Sequence, residues 1–84
     1  MKLAFAEGKM RADARELFTY LDVGKVVNAE NVRIMRVQAG ELAHDLHAGK
    51  GTQAHFERRR LKLYLMDAFM DELKKLGASF VEGD

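Results

Sequence analysis

The 84-residue chain contains no cysteine, no proline and no tryptophan, and aromatic residues make up only 8% of it. Without cysteine, the chain can form neither a disulfide nor a thiolate metal site, and it suits a reducing compartment. No apolar run approaches the roughly 20 residues that a membrane span needs. The apolar segment from Leu3 to Ala6 is too short for a signal-peptide core. We therefore expect a cytoplasmic protein without membrane association.

An excess of charge of either sign is also absent, since 14 Lys and Arg residues stand against 13 Asp and Glu residues, for a formal net charge of +1. No global field therefore attracts polyanions. The 48% content of hydrophobic residues indicates a folded chain. We expect one domain over residues 1–84, which at this length buries only about 60–65% of its unfolded surface. Because disulfides are excluded, we expect a homodimer to supply further stability.

The first of three helical blocks is an apolar pattern at three- and four-residue steps near the N-terminus. Its members are Ala6, Met10, Ala14, Leu17 and Leu21. Gly8 lies inside the pattern and weakens the first turn by about 1 kcal/mol relative to Ala. We therefore predict a helix over residues 9–22, with Leu3 and Phe5 on an extended arm.

The second block is an apolar seam with 3-4-3-4 spacing, which predicts a helix over residues 29–48. The seam consists of Val32, Met35, Ala39, Leu42 and Leu46. Asn28 is a suitable N-cap, and Gly49 and Gly51 should end the helix, one of them in a left-handed conformation. Gly40 lies in the middle of this helix. It either lets another helix approach closely or is a tolerated weak point.

The third block predicts a long helix over residues 53–76, capped by Thr52 and closed by Gly77. A short tail, residues 78–84, follows and contains a segment that suits a short strand or an apolar strap. The predicted fold is all-α: a small three-helix domain with a long C-terminal helix. Two shorter helices should pack on the third.

The third helix carries apolar side chains around most of its circumference. One flank contains Leu61, Leu65, Ala68, Phe69 and Leu76, and the other contains Leu63, Met66, Met70 and Leu73. We expect the first two helices to cover one flank, which leaves the other free for a partner. A tightly wrapped monomer would instead use both flanks.

The first two turns of the third helix also contain three consecutive arginines, Arg58 to Arg60. Cations are disfavoured near a helix N-terminus by the helix dipole, so local stability does not explain the cluster. Either carboxylates from elsewhere or solvent compensate these charges, or the cluster is a contact patch for phosphate or for an acidic protein surface.

A metal or catalytic site finds little support in the sequence. Glu41 and His44 form an E-x-x-H pair of the kind that binds metals in di-iron bundles, but both lie off the apolar seam and should be solvated. No cysteine is available as a nucleophile, and the only serine lies in the tail. The segment Gly49–Thr52 lacks the upstream glycine of a phosphate-binding loop. We therefore expect no enzymatic activity, no metal and no cofactor.

These observations predict a small regulatory or adaptor protein that binds another protein and modulates or inhibits it. The expected apolar anchors are Leu63, Met66, Phe69, Met70 and Leu73, and the expected polar rim is Arg58, Arg59 and Lys62. Recognition would place a helix face in an apolar groove, with the charges fixing its orientation. The alternative is a dimeric DNA-binding transcriptional regulator that uses the basic start of the third helix.

Overall fold

The computed structural model describes residues 2–81, which form three helices and two very short strands. The helices are α1 (Leu3–Tyr20), α2 (Ala29–Leu46) and α3 (Thr52–Lys75), and the strands are β1 (Val26–Val27) and β2 (Ser79–Phe80). The predicted small all-α domain with a long third helix is confirmed. None of the helices in this part of the chain is long and apolar enough to cross a membrane.

Helix α3 lies at the centre of the domain, and both other helices pack on it while making few contacts with each other. Helix α1 runs parallel to α3, since Glu7 contacts Tyr64 and Arg15 contacts Glu72. Helix α2 runs antiparallel to α3. The Cα trace measures 44 × 28 × 15 Å. The molecule is therefore flat, and wide faces of all three helices remain in contact with solvent.

The core is built from the apolar faces of all three helices and from β1. The buried side chains that form it are Ala6, Met10, Ala14, Val27, Met35, Ala39, Leu42, Leu65, Phe69 and Leu73. Met10, Leu65 and Leu73 are the largest of the fully buried ones. Both apolar flanks of α3 therefore contribute to the core, as expected for the tightly wrapped alternative. The prediction that one flank stays free is wrong in this respect.

The two strands form a parallel pair that ties the start of α2 to the end of α3. The Ser79 amide donates to the Lys25 carbonyl at 2.9 Å, and the Val81 amide donates to the Val27 carbonyl at 3.2 Å. The tail therefore contains the predicted strand, while residues 82–84 of the predicted tail lie outside the described residues.

The predicted arm at the N-terminus is wrong, because α1 begins at Leu3 and continues through Gly8. Ala6 is fully buried in the first turns, and burial against α3 outweighs the roughly 1 kcal/mol helix penalty of one glycine. The helix also ends at Tyr20, two residues before the predicted end at 22.

The helix caps match the predictions only in part. Asn28 caps α2 as predicted, in a reciprocal capping box with Asn31. Helix α2 ends at Leu46 rather than 48, with an extended His47 in place of a left-handed glycine. Thr52 was expected to cap α3, but the N-cap is Gly51, with a φ of 93° and no side-chain bond.

The end of α3 matches the sequence prediction closely. Gly77 has a φ of 98°, and its amide donates to the Lys74 carbonyl at 3.0 Å. The Ala78 amide donates to the Leu73 carbonyl, also at 3.0 Å. These two bonds define a Schellman motif, for which glycine is suited because it lacks a Cβ.

Candidate interaction surface

An apolar stripe runs along the solvent side of α3. Its apolar members are Phe56, Leu63, Met66 and Met70, and Arg59 lies on the same face between Phe56 and Leu63, so that all five follow one another at steps of three and four residues. Phe56 is 54% exposed and Leu63 is 50% exposed. Met66 and Met70 are half-buried and pack against the edge of the core. We call this set the outer stripe.

The outer stripe contains only some of the anchors predicted from the sequence. Leu63, Met66 and Met70 belong to it, but Phe69 is 3% exposed and Leu73 is 0% exposed. Both are core side chains, so neither is an anchor on the outer stripe. Phe56 was not among the predicted anchors, although it lies seven residues before Leu63 and so falls on the same helix face.

A basic groove lies beside the outer stripe, between α2 and α3. Its walls are His55, Arg58, Arg59 and Lys62 of α3, its α2 side is formed by Gly40 and Ala43, and its volume is about 320 Å³. None of these lining residues carries a carboxylate. The predicted rim residues Arg58, Arg59 and Lys62 are therefore brought together.

Arg58 has a structural role that the sequence did not reveal. Its Nη1 donates to the Gly49 carbonyl at 2.6 Å and to the His47 carbonyl at 3.3 Å. These carbonyls follow the C-terminus of α2, where the helix dipole favours a cation. Arg58 therefore joins the segment that follows α2 to the second turn of α3.

Like Arg58, the cations Arg59, Arg60 and Lys62 take part in none of the ion pairs found within residues 2–81. Unlike Arg58, they also donate none of the side-chain hydrogen bonds found there. Pairing with carboxylates from elsewhere in the fold therefore does not account for these three charges. Solvent exposure and a contact patch remain as explanations of the cluster.

Several of the carboxylates of α1 and α3 are engaged at the other end of the domain. Nη1 of Arg11 lies 2.9 Å from Asp71 and 3.1 Å from Glu72, and its Nε lies 3.1 Å from Glu7. Hydrogen bonds from Arg11 lower the pKa of Asp71 and Glu72. For Glu7, the hydrogen bond from Tyr64 is the main cause of a lowered pKa, and Arg11 adds to it. These carboxylates are therefore neutralised within the domain, largely by Arg11.

The histidines and acidic residues of α2 do not assemble a metal centre in the described part of the chain, where no group of three potential metal ligands occurs. Glu41 and His44 are both exposed. His47 instead accepts a hydrogen bond on Nδ1 from the Gly49 amide at 3.1 Å and contacts Glu57 through Nε2. This contact is a second link between the end of α2 and the start of α3.

The chain matches no protein-family model, and searches of curated proteins and of solved structures found no similar protein. Its function is therefore inferred from its own surfaces.

Proposed function

We propose that this protein is a small, non-catalytic regulatory adaptor of the cytoplasm that binds another protein along the outer stripe of α3. The observation that supports this proposal is the stripe itself, in which Phe56 and Leu63 are about half exposed at a seven-residue spacing. An isolated exposed apolar residue is ordinary, but a row of them along one helix face is typical of a binding surface. Met66 and Met70 extend the row with flexible side chains that adapt to different partners.

The charge beside the stripe defines the chemistry of the partner. The basic groove contributes Arg59 and Lys62, which have no carboxylate partner within residues 2–81. An amphipathic helix with acidic side chains next to its apolar face complements both features. Apolar contacts then supply affinity, while the charges steer the encounter and fix the orientation.

A homodimer through α3 is part of the same proposal. A second copy would bury the same apolar side chains, Phe56 and Leu63 among them, and this burial would add to the stability of a short chain. Exchange of the self-dimer for a complex with the target would then be the regulatory step. The mass of the protein by light scattering, measured across a concentration series, tests the dimer.

The binding proposal is tested by titrating a fluorescent acidic amphipathic peptide, built from Leu and Glu at helical spacing, and following its anisotropy. We expect Leu63→Asp to weaken binding at least tenfold. Val37→Asp is the matched control, because Val37 is 51% exposed on α2 and lies outside the stripe. Arg59→Glu should also weaken binding, whereas Arg60→Glu, outside the stripe and the groove, should change it little. Equal effects of Leu63→Asp and Val37→Asp, with both variants folded, would contradict the proposal.

The second candidate function is a dimeric DNA-binding regulator, which the groove without carboxylates favours. Phosphates interact with Arg and Lys in any sequence context, and such binding weakens steeply with salt. Duplex DNA binding that falls by a factor of ten or more between 50 and 200 mM salt, and that is lost on replacing Arg59 and Lys62 of the groove by Gln, would favour this function over the adaptor.

A further inference from the structure

A second cleft lies between α1 and α2, on a different side of α3 from the outer stripe. Its apolar floor is formed by Leu17 of α1, Met35 of α2 and Phe69 of α3, and its volume is about 230 Å³. Asp13 and Glu16 line it on the α1 side. We call it the acidic cleft. It exists because α1 and α2 both pack on α3 but make few contacts with each other.

The mouth of the cleft is apolar as well. Tyr20 and Ile34 line it from opposite helices, and both are exposed large side chains. Asp13, Glu16, Leu17 and Tyr20 are spaced by three, four and seven residues along α1, so they share one face. The cleft therefore combines an apolar floor, an apolar mouth and a negatively charged edge.

The carboxylates of this edge lack a cationic partner in the described part of the chain, where neither Asp13 nor Glu16 takes part in an ion pair. Burial raises the pKa of Asp13, and the nearby Glu16 adds to this effect, while Lys9 and a hydrogen bond from Gln38 oppose it. The surroundings thus disfavour the charged form of Asp13. A cation brought into the cleft would stabilise that charged form.

We propose that the acidic cleft is a second docking site, which binds an amphipathic helix with Lys or Arg side chains from a partner protein. The incoming helix would lie over α1 and α2 and place an apolar side chain above Phe69. Basic residues one turn away would then reach Asp13 and Glu16. Helix α3 and its two neighbours are three of the four helices of a bundle, and the bound helix would be the fourth.

This site does not depend on the outer stripe. The two surfaces have opposite charge, so the partners that they select differ in charge as well. A protein with both sites can bind an acidic and a basic helix at the same time, and in this way a small adaptor can join two partners.

The test uses a fluorescent basic amphipathic peptide, built from Leu and Lys at helical spacing, and a matched peptide in which Glu replaces every Lys. We expect the basic peptide to bind the wild-type protein. Its affinity for the Asp13→Asn, Glu16→Gln double variant should be at least tenfold lower. The matched control is Glu41→Gln with Asp45→Asn, which removes the same number of charges from exposed positions on α2. An equal loss of peptide affinity in both double variants would show that the peptide is attracted by net charge alone, and it would overturn the proposal.

Methionine methyl resonances locate the bound peptide and keep the test independent of variants. Met35 lines the acidic cleft, whereas Met66 and Met70 belong to the outer stripe. The basic peptide should shift the Met35 signal and leave those of Met66 and Met70 in place. Shifts confined to Met66 and Met70, or tight binding of the acidic peptide with a shift at Met35, would overturn the assignment of the cleft. Salt- and concentration-dependent self-association that Asp13→Asn abolishes would instead identify a second copy as the occupant.

Discussion

Lys62 of α3 lays the hydrocarbon part of its side chain against Gly40 of α2, so that a Cβ atom added at Gly40 would lie 3.8 Å from Cδ and Cε of Lys62. This is ordinary van der Waals contact with a flexible side chain. Gly40 is therefore a tolerated weak point of α2 and is not required for a close approach of the helix backbones. The groove keeps its depth because both Gly40 and Ala43 are small.

Gly40→Ala should consequently stabilise the protein by about 0.5–1 kcal/mol, because alanine has the higher helix propensity and loses less conformational freedom on folding. Urea unfolding followed by circular dichroism measures this change. Gly40→Leu is the informative companion, since the larger side chain would displace Lys62 from the groove. A Gly40→Ala variant less stable than the wild type would show that α2 and α3 pack more tightly at this position than the 3.8 Å contact with Lys62 indicates.

Gly49 should behave in the opposite way. A Cβ atom there would lie 2.6 Å from Cε1 of His47 and 3.3 Å from Cβ of Ala54. His47 would have to leave its contacts with Gly49 and Glu57, so Gly49→Ala should destabilise the protein by about 1–3 kcal/mol. Gly8→Ala is the control, because nothing lies within 4 Å of the added atom, and we expect it to stabilise α1. Equal unfolding midpoints for the two variants would contradict the His47 contact.

The helices could be predicted from the sequence because their signals are local. The Asn28 cap and the Gly77 end each involve residues within one or two turns of each other, and the apolar seam of α2 repeats from one turn of the same helix to the next. The start of α1 could not be predicted in this way, because the burial of Ala6 against α3 outweighs the local helix-propensity penalty at Gly8. Tertiary contacts of this kind leave no periodic signal of their own.

The candidate site was predicted in part for the same reason. Spacing along α3 placed Leu63, Met66 and Met70 on one face, and in the structure Leu63 is exposed while Met66 and Met70 are half-buried. Spacing alone did not reveal the angle at which α1 and α2 approach α3. That angle decides that Phe69 and Leu73 are buried, and it also creates the acidic cleft, whose lining comes from all three helices.

The burial of Leu73 leads to a further prediction. Leu73 is completely buried, so Leu73→Ala should cost about 2–5 kcal/mol of folding free energy through lost burial and a residual cavity. Leu76, three residues later and 39% exposed, is the control, and its replacement by Ala should cost clearly less. Urea unfolding of both variants measures the difference. A folded, equally stable Leu73→Ala variant that lost peptide binding would restore Leu73 as a surface anchor.

The Arg11 cluster predicts how stability depends on pH. Glu7, Asp71 and Glu72 each have a lowered pKa in the folded protein, to which hydrogen bonds from Arg11 contribute. A lowered carboxyl pKa adds stability at pH values above the ordinary carboxyl range, and this stability is lost as the pH falls through the folded-state values, below about pH 4. Arg11→Gln should therefore reduce the free energy of unfolding at pH 7, and the difference from the wild type should shrink towards pH 3.

The control for this pH dependence is Arg33→Gln. It breaks only the exposed pair with Glu30 within α2 and should have little effect at either pH. A difference for Arg11→Gln that is unchanged between pH 7 and pH 3 would mean that its side chain stabilises α1 and α3 through packing rather than charge.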